Sequence, residues 1–139
     1  MARNLSTRSI QVSARVQTPV PLATLRRWTR EAADMLRLPA GDISVTVIGP
    51  TESKMLNAQY RQKEYPTNVL TFPAPQGSGE CGDILLCAAV IRKEASAQGL
   101  RVAAYTKFLL QHGCIHLLGL DHQTDAEMKR WERIERKLS

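Results

Sequence analysis

Hydrophobic positions change their period several times along the chain, and each change marks an element. In residues 9–16, SIQVSARV, the residues Ile10, Val12, Ala14 and Val16 alternate with polar neighbours, the period of a half-buried strand. From 21 to 38 the spacing lengthens, and Leu22, Leu25, Trp28, Ala32 and Leu36 make a helical stripe. DISVTVIG (42–49) alternates again through Ile43, Val45 and Val47. A helix opened by Thr51 is expected over 51–62. The short strand PTNVLTFP (66–73) that follows is bracketed by prolines, which suits a sheet edge. CGDILLC (81–87) reads as a strand, and AAVIRKEASAQ (88–98) as a helix stopped at Gly99. Residues 101–118 are apolar around most of a helical circumference, so that helix is expected at the centre. Gly119 ends it, and a last helix over 124–138 begins with the capping box Thr124–Glu127. Strands and helices mix without the strict alternation of a doubly wound sheet. The expectation is one α+β domain over residues 1–139, a small mixed sheet packed with helices around the central one.

Composition narrows this little. The 139 residues are 43% hydrophobic and 23% charged, ordinary for one globular domain with a sizeable core. No apolar run approaches the length needed to span a bilayer, so no membrane partner is expected. The first thirty residues hold six arginines and no acid, a bias shared with organelle transit segments. The strand pattern and the helical stripe nevertheless assign them to the folded domain. Cys81, Cys87 and Cys114 form no CxxC pair and leave an odd thiol, which suits a reducing cytoplasm better than a disulfide framework. A net charge of +6 suits a polyanionic partner and suits plain solubility equally well.

Candidate chemistry is concentrated in QHGCIHLLGLDH, residues 111–122, which holds all three histidines, His112, His116 and His122. Four residues apart on a helix, His112 and His116 lie one turn above the other on one face. Both imidazoles can then reach an ion about 2.0–2.1 Å from each nitrogen. Gly119 can take the left-handed conformation that reverses the chain, returning His122 as a third ligand. Three neutral imidazoles leave the ion its full charge and a coordination position for water, whose pKa such a site lowers to about 7. Zinc suits the ligand type best, and other divalent ions also accept imidazole. Asp121 could orient a ligand from outside the coordination shell or simply cap the turn. Cys114 turns away from His112; Cys81 or Cys87 as a fourth ligand would close the site and make it structural.

The spacing H-x-x-x-H-x-x-G-x-x-H is that of the metzincin peptidases, so the central helix is expected to carry metal in a zincin-like fold. Those enzymes place a glutamate base after the first histidine, and here Gly113 occupies that position. Glycine inside a helix costs about 1 kcal/mol relative to alanine. Its gain is either room for a bulky group beside the metal or close helix–sheet packing.

Taken in order, LNAQYRQKEYPTNVLTFP, GDILLC and HGCIHLLGLDH resemble the YbeY family of metal-dependent endoribonucleases, also called ribosomal RNA maturation factors. The resemblance runs from about residue 43 to 125. It implies that His112, His116 and His122 bind zinc and that Arg61 is the functional arginine near the metal. It also implies cleavage of RNA phosphodiester bonds in small-subunit ribosomal RNA maturation and ribosome quality control. The partners would be RNA or ribosomal particles rather than DNA. Glu64 and Asn68 depart from the family where aspartate is frequent, and Cys81 where leucine is common. Two other functions remain open on the residues alone. One is a metal-dependent peptidase or other hydrolase, and the other a ribosome-assembly RNA-binding factor with a structural zinc.

Overall fold

A computed structural model describes residues 8–119 and 125–138. The elements run β1 (Ile10–Ala14), α1 (Leu22–Leu36), β2 (Asp42–Ile48), α2 (Pro50–Arg61), β3 (Val69–Pro73), β4 (Glu80–Cys87), α3 (Ala88–Gln98), α4 (Val102–His116) and α5 (Asp125–Leu138). The four strands form one sheet in the order β1-β2-β4-β3. β1, β2 and β4 are parallel, and β3 runs antiparallel to β4. The mixed α+β architecture is the one expected, with the proline-bracketed strand at an edge, where its missing N–H is not needed by a second neighbour.

One face of the sheet builds the core. Ile43, Val45 and Val47 of β2 and Ile84 and Leu86 of β4 are fully buried. They belong to one cluster with Leu25 of α1, Ile91 of α3 and Leu110 of α4. Intervening positions carry Ser13, Ser44, Thr46 and Asp83, and the hydroxyls of Ser13 and Thr46 lie 3.4 Å apart across β1 and β2. The pleat separates the two sets. Each fully buried aliphatic side chain contributes about 1.5–3 kcal/mol, so the helices on the apolar face are firmly seated.

The helix ends follow local chemistry. Gly99 stops α3 in the left-handed region (φ 67°), as its position requires. α2 departs from expectation at its start. Gly49 is the N-cap and Pro50 the first helical residue, one position ahead of Thr51. Proline's fixed φ suits a first turn, and its missing N–H is one the helix would leave unpaired in any case. The arginine-rich segment supplies β1 and α1 to the domain, and buried Arg8 donates through Nη2 to the Leu38 carbonyl at 2.9 Å. Among the described residues no helix is long and apolar enough to cross a membrane. The Thr124 end of the expected capping box lies outside the described residues.

Candidate active site

α4 carries the histidine pair across the apolar face of the sheet, and Gly113 sets how closely it lies. A β-carbon at 113 would stand 3.0 Å from Ile84 Cγ2 and 3.3 Å from both Ile84 Cδ1 and Thr71 Oγ1. Of the two uses open to this glycine, close helix–sheet packing is therefore the one the structure bears out. The position after the first histidine presses on β3 and β4, where a glutamate base would have no room. Beyond α4, Gly119 takes the left-handed region (φ 79°), with its N–H donated to the His116 carbonyl at 2.9 Å.

The two imidazoles share one face of α4, with ring centroids 6.3 Å apart. Two imidazoles bound tetrahedrally to one ion at 2.0–2.1 Å have centroids roughly 5–5.5 Å apart, so these rings stand about 1 Å wider than a shared cation would draw them. Trp131 of α5 lies against both, 4.9 Å from the His112 ring and 4.7 Å from that of His116, and is itself 3% exposed. His112 Nδ1 stands 3.3 Å from Glu135 Oε2, also on α5. A carboxylate at Nδ1 holds the proton there and leaves Nε2 as the donor for a metal. His122 and Asp121 lie outside the described residues. Among the described residues no three metal-binding side chains cluster.

Cys114 and Cys81 lie together in the buried core. Cys114 is fully buried, two residues from each histidine and so about 200° around the helix. Burial pushes its thiol up to about 12, with nearby Cys81 raising it further and Arg8 opposing. Burial also raises the Cys81 thiol, against the pull of the Arg8 guanidinium beside it. A thiol between Arg8 and Cys114 is badly placed to serve as a fourth ligand.

Arg61, at the C-terminal turn of α2, lines the same cavity of about 560 Å³ as His116. Lys63, Tyr60 and Tyr65 stand around it with Phe72 of β3. His112 lines a separate hollow of about 460 Å³ between α4 and α5. The structure thus joins Arg61 to one histidine of the pair, and α4 links that histidine to the other. Asn68, also on the cavity wall, donates through Nδ2 to Glu94 Oε1 at 2.9 Å, and Tyr105 donates its hydroxyl to the same oxygen at 2.8 Å. Burial first, then Glu94, raises the Tyr105 pKa. An aspartate at 68 would set two carboxylates against each other in this chain.

Sequence reasoning missed Glu135 and Trp131, because nothing local says that α5 folds back over the histidines. It also missed Tyr60, Lys63 and Tyr65. Their signal was available: aromatic and basic residues interleave in YRQKEY, a stretch without core periodicity.

Fold and site together define an α+β domain, with paired imidazoles on its central helix and a guanidinium on the cavity that one of them lines. The family described as Endoribonuclease YbeY matches residues 10–139. A curated relative of that description from Polynucleobacter asymbioticus is 37% identical over 133 residues, covering 95% of this chain and 83% of its own. Relatives of the same description from Pseudomonas putida and Stutzerimonas stutzeri are 40% and 42% identical; each match covers 84% of this chain, and 76% and 75% of theirs. The solution structure of TM1509 from Thermotoga maritima shares the fold, with a TM-score of 0.59 at 20% identity over 93% of this chain and 88% of that one. The chain belongs to the endoribonuclease YbeY family.

Proposed function

We propose that this protein is a zinc-dependent endoribonuclease that cuts RNA phosphodiester bonds, acting on ribosomal RNA or ribosomal particles during small-subunit maturation. The observation that carries the reading is the cavity on which Arg61 and His116 meet, in a chain of the endoribonuclease YbeY family. His112 and His116, with His122 by the motif, would hold the ion, and Glu135 would fix the His112 ring. When bound, the cation supplies Lewis acidity toward a phosphoryl oxygen and lowers the pKa of water.

The remaining work falls to the protein. The planar guanidinium of Arg61 binds two phosphate oxygens at once and stabilises the charge that develops on them. Lys63, on the same cavity, adds a second cation. Trp131 packs against both imidazole rings and helps hold their orientation. With position 113 filled by the sheet, no carboxylate of α4 can stand beside the first histidine as a peptidase base. RNA does not need one there, because its 2′-OH is an internal nucleophile. Attack by the 2′-oxygen on phosphorus expels the 5′-oxygen, giving a 2′,3′-cyclic phosphate and a 5′-hydroxyl; attack by water gives a linear phosphate.

The test is cleavage of single-stranded RNA by protein with and without zinc, with end-group analysis of the products and circular dichroism alongside. Chelation should abolish cleavage in a protein that stays folded. Unfolding on chelation would instead make the ion structural, and cleavage of unstructured protein in place of RNA would support a peptidase.

A further inference from the structure

The cavity holds aromatic surface that neither the core nor phosphate chemistry uses. Of the three tyrosines, Tyr105 is buried, whereas Tyr60 and Tyr65 are 55% and 53% exposed and both stand on the cavity of Arg61 and His116. The Tyr60 ring and the Tyr65 backbone are both held in place. Tyr60 meets Phe72 of the edge strand edge-on, centroids 5.0 Å apart at 68°, which fixes its plane while leaving much of the ring open. The Tyr65 backbone carbonyl accepts from Nδ2 of fully buried Asn57 at 2.8 Å. The following turn is clamped by Ser53, whose hydroxyl donates to the Thr67 carbonyl and accepts from the Thr67 N–H. Arg61 and Lys63 stand between the two tyrosines in sequence and on the same cavity.

Open aromatic faces interleaved with cations are the chemistry of a single-stranded nucleic-acid groove, in which bases stack on rings and the backbone tracks the charges. An acidic peptide would satisfy the cations and leave the rings wet. A duplex would offer phosphates with no free base face. We infer that Tyr60 and Tyr65 form a base-stacking subsite that holds the nucleobases flanking the scissile phosphate. This rests on the endoribonuclease reading. It adds that recognition beside the cut is by ring stacking, tolerant of base identity because every base has a π-face.

The experiment measures binding by fluorescence anisotropy, at several salt concentrations, to a short labelled single-stranded RNA, to abasic versions of it and to its duplex. The proteins are the wild type, Tyr60→Ala, Tyr65→Ala and both Phe variants. Each alanine variant should weaken binding about tenfold or more without changing the salt slope, and each phenylalanine variant should bind as wild type. An abasic position opposite the missing ring should erase that difference. Cleavage should fall in parallel at subsaturating RNA, with melting temperatures unchanged. Wild-type affinity in both alanine variants, or equal losses on fully abasic RNA, overturns the subsite while leaving the nuclease reading standing. Failure of the wild type to bind or cut RNA at all removes both.

Discussion

Replacing Gly113 tests the seat of the helix that carries His112 and His116, and two substitutions separate the terms. Alanine gains about 1 kcal/mol of helix propensity. Its β-carbon, however, would sit 3.0 Å from Ile84 Cγ2, closer than carbon atoms tolerate without movement. Ile84 is fully buried in β4, with β2 and β3 paired on either side, so its room to retreat is small. Overpacking of this kind costs about 1–3 kcal/mol, which outweighs the helical gain for a net loss of up to about 2 kcal/mol. Glutamate at 113 adds a carboxylate against buried isoleucine, costing several kcal/mol more. That is a large fraction of the roughly 5–15 kcal/mol that holds a domain folded. Thermal unfolding followed by tryptophan fluorescence measures both variants, and each kcal/mol should move Tm by about 2–4 °C. Gly113→Ala should be modestly destabilised, and Gly113→Glu severely so, without peptidase activity. A more stable Gly113→Ala, or a well-folded Gly113→Glu that cleaves protein, would refute the packing argument.

Further outcomes follow from neighbouring contacts. Glu135→Ala should weaken zinc binding about 10–100-fold in competition with a chromophoric chelator, with Glu135→Gln intermediate; equal affinity in all three proteins would detach Glu135 from the His112 ring. Asn68→Asp loses the bond to Glu94 and should cost about 1–3 kcal/mol at neutral pH. The new carboxyl's pKa is raised in the folded state, so stability should return as pH falls below the carboxylate range; a pH-independent loss in urea titrations would contradict this. The Cys114 thiol, raised from 9.0 to about 12 by burial, keeps its full contribution below pH 9 and loses it as pH rises toward 12. The loss approaches about 4 kcal/mol, and Cys114→Ala should flatten the alkaline limb of the stability curve, which an unchanged limb would deny.

How much was legible differs between fold and site. Period alone located β2, α3 and α4, because their apolar positions face one core. The order β1-β2-β4-β3 was not readable, since pairing between distant strands leaves no local mark. Thr51 looked like a cap only because the preceding glycine and proline were not weighed as N-cap and first helical residue. The i,i+4 histidines were plain, a consequence of helical geometry. Gly113 left two readings until Ile84 was found beneath it. Glu135 and Trp131 reach the histidines from α5, a tertiary contact that no spacing rule anticipates.

The central claim is that Arg61 acts on phosphate at a site whose metal is held independently by the histidines. Arg61→Ala, loaded with zinc and assayed on single-stranded RNA beside its metal content, tests this most directly. The account predicts cleavage abolished with zinc stoichiometry unchanged. Cleavage at the wild-type rate, or loss of zinc together with activity, would contradict it.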